Sequence, residues 1–315
     1  MQGRVLITGA TGFVGRAVAD LAARSGWLVR AAVRSTPVAP HVGREVVGHL
    51  DLAATTDWHD ALEEVDAVIH CAARVHVLKE TTNDPLAEFR RVNVEGTRRL
   101  AEHAASQGVR RFVFVSSIGV NGSETFEAPF RADDLPSPAT AYARSKLEAE
   151  QVLLGLARSS TMEVTIVRPP LVFGPGAPGN FRMLLRAIRW GLPMPFGAVQ
   201  NRRSMVAIDN LADLLLLCIS HPGAANQTFL VSDGEDLSTP EMLRRISAAL
   251  KRPARLVPVP VAFLELAARA LGQHAKFRQL CGSLQVDIEK TRALLGWAPP
   301  CAVDDALARI DVALA

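Results

Sequence analysis

Cysteine is scarce in this sequence, and the few cysteines it has are scattered. Only four of the 315 residues are cysteines, with no Cys-x-x-Cys pair and no histidine at the spacing of a metal ligand. Zinc sites and disulfide frameworks both depend on such spacing. The sequence therefore predicts neither a metal site nor a disulfide among Cys71, Cys218, Cys281 and Cys301.

Strong charge and long apolar runs are missing as well. The net charge is only +3 and there is no basic tail, so nucleic acid is not an expected partner. The most apolar run, Leu211 to Ile219, contains Asp213 and is too short to span a bilayer. The N-terminus leads directly into an apolar strand, without the pattern of a secretory signal. We therefore expect a cytoplasmic protein without a membrane span.

Tyrosine occurs once, as Tyr142, four residues before Lys146. Residues four apart lie on the same face of a helix, so we expect the lysine ammonium to lower the pKa of the phenol from about 10. Such a phenol can exchange a proton with a reacting oxygen. The pair alone is a short and common pattern, and an ordinary aromatic at the edge of a core would give the same spacing. Other motifs must decide between the two interpretations.

The first half of the chain alternates short β-branched runs with helical patterns, which is typical of a parallel sheet covered on both faces. After Arg168, prolines and glycines crowd the sequence and indicate a smaller, irregular lobe. We expect a doubly wound α/β domain over 1–173 and a C-terminal α/β lobe over 174–315, with a segment near 205–235 returning to the first domain. The predicted strands are Val5–Thr8, Leu28–Val33, Glu45–Gly48, Ala67–Ala72, Phe112–Ser116 and Val164–Arg168, and the predicted helices are Gly12–Ser25, Asp57–Glu64, Pro85–Gln107, Ala139–Ala157, Phe181–Trp190, Asn210–Ser220, Pro240–Leu250 and Val261–Gly272.

A glycine-rich turn joins the first predicted strand to the first predicted helix. Gly9 permits a tight turn, Gly12 lets the backbone approach a pyrophosphate, and Gly15 allows the helix to pack closely on the strand. The amides at the start of the helix would face the phosphates. This context predicts a dinucleotide site that includes the loop residues Thr11, Phe13 and Val14.

The end of the second strand bears on the choice of dinucleotide. NAD sites usually carry an acidic residue there to bind the ribose hydroxyls, whereas this chain has Arg34. An arginine can hold a 2′-phosphate through a charge-assisted bidentate contact. We therefore predict NADP(H) as the preferred cofactor, with NAD(H) as the alternative.

The apolar strand beginning at Phe112 ends in Ser116 and Ser117, and ligands of doubly wound sheets bind at such carboxyl ends. Together with Asn93, Tyr142 and Lys146, these serines make a set that resembles the Asn–Ser–Tyr–Lys tetrad of the short-chain dehydrogenase/reductases. The extended, sugar-nucleotide branch (the NAD-dependent epimerase/dehydratase family) is the most similar. The motifs run in order along essentially the whole chain: Gly9/Gly12/Gly15, Asp51-Leu52, His70-Cys71-Ala72-Ala73, Asn93-Val94-Glu95-Gly96-Thr97, Ser116-Ser117, Tyr142/Lys146 and Arg168-Pro169.

The resemblance implies a Rossmann-type domain, an enzyme, and a role for each matching residue. Tyr142 would exchange the proton, Lys146 would hold the nicotinamide ribose, and Ser117 would orient the reacting oxygen, with Ser116 as the alternative. Asn93 would brace the helix geometry, although a helix-interior asparagine bonded only to backbone fits equally well. The resemblance implies cofactor contacts for Asn93, Ser116 and Tyr142 as well. The remaining ones are Asp51 and Leu52 beside the adenine, Ala72 and Ala73 along the dinucleotide, and Pro169.

The resemblance also narrows the reaction. Dehydratases of this branch carry an Asp-Glu pair where this chain has Ile118 and Gly119, so dehydration is not expected. The main expectation is a reductase acting on the 4-keto group of a UDP- or dTDP-linked 6-deoxy hexulose, N-acetylated or not, for surface polysaccharide synthesis. A UDP-hexose 4-epimerase with tightly bound NAD is the alternative, although Leu171 stands where galactose epimerases carry asparagine. Reductases of small hydrophobic ketones and non-catalytic dinucleotide-binding proteins are more distant alternatives.

Substrate contacts are implied by the same resemblance. Arg203, which opens a predicted strand, matches the arginine that binds the substrate diphosphate in the family. Asn180 and Arg278 are weaker candidates for contacts to the nucleotide sugar, because ordinary loop residues would look the same. The two helices Pro85–Gln107 and Ala139–Ala157 resemble those through which the family dimerises, so a homodimer is expected.

Overall fold

Parallel strands form the centre of the molecule. The computed structural model describes residues 2–35, 44–75 and 84–312, and these form a seven-stranded sheet in the order β3-β2-β1-β4-β5-β6-β9, in which all neighbouring pairs are parallel. The doubly wound α/β fold expected from the sequence is confirmed. The strands of this sheet are β1 (Gln2–Thr8), β2 (Trp27–Ala32), β3 (Arg44–Val47), β4 (Ala67–His70), β5 (Arg111–Val115), β6 (Glu163–Arg168) and β9 (Gln227–Leu230).

Successive side chains of β1 point to opposite faces of the sheet, and both faces are covered by helices. Val5 and Ile7 pack into one buried cluster with α1 and α7, whereas Leu6 points into a second cluster with α4 and α5. The order of the strands reverses between β1 and β4, and this switch point is where doubly wound sheets bind their ligands. The helices are α1 (Phe13–Arg24), α2 (His59–Leu62), α3 (Pro85–Phe89), α4 (Thr97–Ser106), α5 (Ala141–Ser159), α6 (Gly179–Arg189), α7 (Ile208–Ser220), α8 (Thr239–Ala249), α9 (Val261–Ala270), α10 (His274–Cys281), α11 (Glu289–Leu295) and α12 (Val303–Val312).

The predicted helix Pro85–Gln107 is not one regular α-helix. A π-helical segment, Arg90–Gly96, separates α3 from α4. A π-turn widens the helix by one residue and commonly occurs at functional sites. It turns Asn93 into the protein and brings Gly96 against Leu52, where a Cβ would lie 2.8 Å from the Leu52 carbonyl carbon. The sequence did not predict this segment because its helical periodicity is compatible with either winding.

A second, smaller sheet supports the C-terminal lobe. It contains β7 (Leu171–Phe173), β8 (Arg203–Ala207) and β10 (Asp236–Leu237), with β8 in the middle. β7 and β8 flank a buried cluster formed with α6, α8 and α12. Between β8 and β10 the chain returns to the large domain as α7 and β9. In the part of the chain that the structure describes, none of the helices is long and apolar enough to cross a membrane.

Candidate active site

The glycine turn after β1 has the geometry that a dinucleotide requires. Gly9 adopts a left-handed backbone with φ +66°, and a Cβ there would lie 2.8 Å from the Ala72 nitrogen. A Cβ on Gly15 would overlap the carbonyl oxygen of Gly9. Gly12 caps α1 without a side-chain acceptor, so the first amides of the helix remain available to phosphate oxygens. These residues fit the pyrophosphate of a dinucleotide, and Thr11, Phe13 and Val14 lie on the same turn.

Ala72 and Ala73 follow β4 and are held beside this turn. The Thr8 hydroxyl accepts a hydrogen bond from the Ala72 amide at 3.2 Å and lies 2.6 Å from Nδ1 of His70. Nε2 of His70 lies 2.9 Å from the Thr97 hydroxyl at the start of α4. Burial and the nearby Lys146 lower the pKa of His70 to about 3, so the imidazole is neutral and ties β1, β4 and α4 together.

Asn93 braces the floor of the site. Its Oδ1 accepts from the Arg74 amide at 2.8 Å, and its Nδ2 donates to the Arg74 carbonyl at 3.0 Å and to the Ser145 hydroxyl at 3.0 Å. The side chain is buried. Asn93 thus fastens the loop after β4 to α5, the helix that carries Tyr142, and acts as a positioning residue.

Tyr142 and Lys146 lie on the inward face of α5. The helix is capped by Thr140, whose hydroxyl accepts from the Ala143 amide, so Tyr142 stands in the first turn. Its ring is half-buried and meets Phe89 edge-on at 5.9 Å between centroids. One turn further, Lys146 is fully buried, with Nζ 3.9 Å from the centre of the Phe114 ring, a cation–π contact.

The expected lowering of the Tyr142 pKa by Lys146 is wrong for this structure. Burial raises the pKa of Tyr142 to about 12. Burial also lowers the pKa of Lys146 to about 7, against the opposing effects of Glu150 and Cys71. Desolvation disfavours the phenolate of Tyr142 and the ammonium of Lys146. The ammonium, which lies over the Phe114 ring, does not offset the rise in the pKa of Tyr142. Tyr142 is therefore a neutral proton donor in this state.

The two adjacent serines have different surroundings. Ser116 is buried and donates its hydroxyl proton to Oε1 of Glu150. Ser117 is half-buried, and its Oγ accepts from the Gly119 amide at 3.2 Å. The hydroxyl proton of Ser116 is taken up by this bond to Glu150, whereas Ser117 acts as an acceptor and can still donate its proton to a ligand. The structure thus favours Ser117 over Ser116 as the residue that holds a reacting oxygen.

A buried ion pair beneath the site was missed by the sequence analysis. Glu150 accepts from Arg168 at 2.6 Å and 3.0 Å, and both side chains are buried. Arg168 also donates to Oδ1 of Asn121 at 2.9 Å. The sequence did carry a signal for the position of Glu150. Tyr142, Lys146 and Glu150 follow one another at intervals of four, so they share one face of the helix.

The two arginines assigned to the substrate lie near one another. Arg278 donates from Nε and Nη2 to the same oxygen of Glu124, Oε2, at 2.9 Å and 2.5 Å. Arg203 donates to the Gly282 carbonyl at 2.8 Å. Burial lowers the pKa of Arg203, while the negative charge of Glu124 acts to raise it. Asn180 lies in the first turn of α6, and its side chain is outside what the structure describes.

The remaining predicted contacts lie in loops that follow strands of the large sheet. Arg34 is exposed two residues after the end of β2, and Asp51 is exposed beside the buried Leu52, which packs on Gly96. Pro169 follows β6 and accepts from the Ile118 amide at 3.0 Å. No cluster of three or more histidine, cysteine, aspartate or glutamate side chains suited to a metal ion occurs within residues 2–35, 44–75 and 84–312.

Comparison with known proteins places this geometry in a family. Residues 5–232 match the NAD dependent epimerase/dehydratase family. A UDP-glucose 4-epimerase of Vibrio cholerae is 45% identical over 307 residues, covering 95% of this chain and 92% of the relative. The UDP-N-acetylglucosamine 4-epimerase of Bacillus cereus superposes with a TM-score of 0.80 at 20% identity, covering 99% and 96% of the two chains. MoeE5, solved with UDP-glucose and NAD, superposes with a TM-score of 0.78 at 24% identity, covering 99% and 98%.

The family match spans more than two thirds of the chain, and the fold agrees with the solved structures over nearly all of it. The resemblance stated from the sequence motifs is confirmed. The chain is an enzyme of the NAD-dependent epimerase/dehydratase family, the extended branch of the short-chain dehydrogenase/reductases.

Proposed function

We propose that this enzyme is a nucleotide-sugar 4-epimerase, which removes hydride from C4 of a UDP-hexose and returns it to the opposite face. The proposal is supported by α5, which carries Tyr142 and Lys146 one helical turn apart, and by the loop after Ser117, where a Cβ on Gly119 would lie 3.3 Å from that of Ala143 on α5. The chain is also 45% identical to a UDP-glucose 4-epimerase. This reverses the preference of the sequence analysis, in which the 4-ketoreductase came first. Cytoplasmic location stays a prediction, as does the homodimer, for which α4 and α5 are the candidate interface.

The residues of the chain divide the work as follows. The glycine turn, Ala72 and Ala73 would hold the dinucleotide, whose nicotinamide ring would supply the site that takes up and gives back hydride. In the oxidising half of the reaction the Tyr142 oxygen, as phenolate, would accept the proton of the sugar hydroxyl, and in the reducing half the phenol would return it. Ser117 would hydrogen-bond the reacting oxygen and hold it in place. Lys146 lies one turn further along α5, where it would hold the nicotinamide ribose and where its charged form would favour the phenolate against the burial that raises the Tyr142 pKa.

Elimination of water has no support at this site. Ile118 is buried, and Gly119 lies where a Cβ would be 3.3 Å from that of Ala143. Carboxylates at these two positions would have to be buried against α5 without partners, which is costly. A dehydratase needs an acid and a base beside the sugar, so redox chemistry at C4 is the simpler outcome.

The proposed diphosphate site contains a carboxylate, Glu124, whose negative charge offsets part of the positive charge of the two arginines. Glu124 pairs with Arg278, and its charge acts to raise the pKa of Arg203. A substrate diphosphate would take the place of this carboxylate, because the guanidinium group donates hydrogen bonds to phosphate oxygens as it does to carboxylate oxygens.

A 4-ketoreductase acting on a 4-keto-6-deoxy sugar nucleotide is the second candidate. Leu171 favours it, because this side chain opens β7 and packs against the core of the small lobe, where galactose epimerases carry a polar asparagine. Arg34 also favours it, since a reductase must exchange its cofactor every cycle and cellular reductions commonly use the phosphorylated form.

One assay separates the two candidates. We expect purified enzyme to interconvert UDP-glucose and UDP-galactose, or their N-acetylated forms, with no net change in nicotinamide absorbance. The measurement is NMR of the anomeric sugar signals together with that absorbance. Consumption of NADPH with a 4-keto-6-deoxy sugar nucleotide, without interconversion of 4-epimers, would contradict the epimerase and establish the reductase.

Cofactor preference is tested at Arg34. If this side chain holds a 2′-phosphate, Arg34→Ala weakens NADPH binding by about tenfold or more, equivalent to about 1.4 kcal/mol, and leaves NADH binding almost unchanged. Fluorescence titration of both reduced cofactors measures the two dissociation constants. Arg24→Ala, in the last turn of α1, is the control for a general loss of positive charge. Tighter binding of NADH by the unaltered enzyme would show that the predicted NADP(H) preference is wrong.

A further inference from the structure

Two helices of the C-terminal lobe bury none of their residues. These are α9 and α10, which follow one another between residues 261 and 281. The apolar side chains of α9 that face outward recur at intervals of three and four, as on one face of a helix. They form the α9 stripe, defined as Phe263, Leu266, Ala267, Ala270 and Leu271, in which the exposed fractions of Phe263, Leu266 and Leu271 are 66%, 66% and 74%.

An outward apolar stripe of this kind is unusual on a free surface. Contiguous exposed apolar patches commonly mark an interaction site. Most amphipathic helices of a globular protein turn such a stripe toward the core, but here the core side of α9 is only half-buried. The stripe therefore has the form of a contact surface.

The charge around the stripe is positive. Between residues 251 and 279 the sequence has six lysines and arginines but a single acidic residue, Glu265, which pairs with Arg269 at 2.6 Å. Four of the basic side chains are exposed and enter none of the ion pairs found among the described residues, namely Lys251, Arg252, Arg255 and Lys276.

We propose that the α9 stripe and its basic surround bind the surface of an anionic lipid membrane. Apolar side chains flanked by lysine and arginine are what an interfacial helix presents to the headgroup region, and each exposed basic group near that surface is attracted to anionic lipid. The ten residues of α9 are too few to cross the bilayer, so the helix lies in the interface.

A second copy of the chain fits this surface less well. In a symmetric dimer the same patch meets itself, so the four exposed cations of one subunit would approach those of its partner, which is repulsive. Trp190 is 72% exposed at the end of α6, and the next residue, Gly191, lies beside Arg255. Indole side chains favour the membrane interface, which strengthens the choice of lipid.

Membrane binding would have a geometric consequence for the proposed reaction. Arg278 belongs to α10 and pairs with Glu124, so the hairpin that touches lipid is continuous with the proposed diphosphate site. The enzyme would release its sugar nucleotide close to the membrane surface. The binding itself does not depend on the proposed function.

Sedimentation with vesicles tests the proposal. The full-length protein is mixed with vesicles of phosphatidylcholine alone or of phosphatidylcholine with phosphatidylglycerol. We expect binding to the anionic vesicles that weakens as salt is added, and a loss of at least about tenfold in the double variant Phe263→Glu/Leu266→Glu. The matched control is Phe126→Glu/Leu135→Glu, which alters two side chains that are 86% and 90% exposed and should bind as the unaltered protein does.

Three outcomes would overturn the proposal. The first is equal binding by both double variants, and the second is equal binding to neutral and anionic vesicles. The third is a change of oligomeric state in the α9 variant, measured by light scattering, without vesicle binding by the unaltered protein. That result would assign the stripe to a second copy of the chain. Thermal unfolding of each variant verifies that it is folded.

Discussion

Phenylalanine in place of Tyr142 is expected to lower kcat by about a thousandfold, within the range that general acid–base catalysis contributes. The substitution removes the hydroxyl that exchanges the proton and keeps the ring that packs on Phe89. Because the glycine turn lies on a different element, the dissociation constant of the dinucleotide should stay close to its original value. Steady-state kinetics and cofactor titration on the same preparation measure the two effects.

The same kinetic measurement on two further variants, Ser116→Ala and Ser117→Ala, tests which serine acts together with Tyr142. If Ser117 holds the reacting oxygen, its removal lowers kcat strongly, whereas removal of Ser116 disturbs Glu150 and acts mainly on stability. Unchanged turnover in Tyr142→Phe would contradict the proposed mechanism. It would show that another group exchanges the proton. Dinucleotide binding by the unaltered protein without any turnover would instead favour a protein that binds dinucleotide without catalysis.

Methionine in place of Lys146 is expected to abolish turnover and yet stabilise the fold at low pH. Burial lowers the pKa of this lysine from 10.5 to about 7, whereas the unfolded chain titrates near 10.4. Below pH 7 the ammonium is charged in both states, so the full cost of burying it is present. Each pKa unit corresponds to 1.36 kcal/mol, and we expect the variant to gain roughly 2–5 kcal/mol in free energy of unfolding at pH 6.

The lowered pKa of Lys146 also fixes how the free energy of unfolding changes with pH. Between pH 7 and 10.5 the unfolded state binds more protons than the folded state, so the stability of the unaltered protein rises with pH. The advantage of Lys146→Met must shrink over the same window. Urea unfolding at pH 6, 8 and 10 measures it, with the exposed Lys276→Met as control. A constant difference, or a variant less stable at pH 6, would show that Lys146 carries no such cost.

Much of the fold was predictable because it depends on local chemistry. The buried strands are continuous apolar runs, and the tight turn after β1 needs a residue that tolerates φ +66°, which marks Gly9. The i to i+4 spacing put Tyr142 and Lys146 on one face of α5. These features require only the period of a helix or strand and the conformational limits of glycine.

What was not predictable depends on contacts between distant parts of the chain. The choice between Ser116 and Ser117 follows from Glu150 on α5 and Arg168 on β6. The sign of the Tyr142 pKa shift follows from burial, which spacing along a helix does not report. The partner of Arg278 lies 154 residues away, at Glu124. The π-helical segment was not predictable because its residues suit an α-helix equally well, and the two helices differ only in their backbone hydrogen bonds.

The single tyrosine gives the enzyme an internal reporter. Tyr142 is the only source of tyrosine signal in the chain, and it stands half-buried beside Phe89 at the proposed catalytic position. Isotope labelling of tyrosine alone would yield one set of ring resonances without a foreign probe. Occupation of the dinucleotide site, arrival of a sugar and ionisation of the phenol could each be followed at that one ring in the unaltered protein.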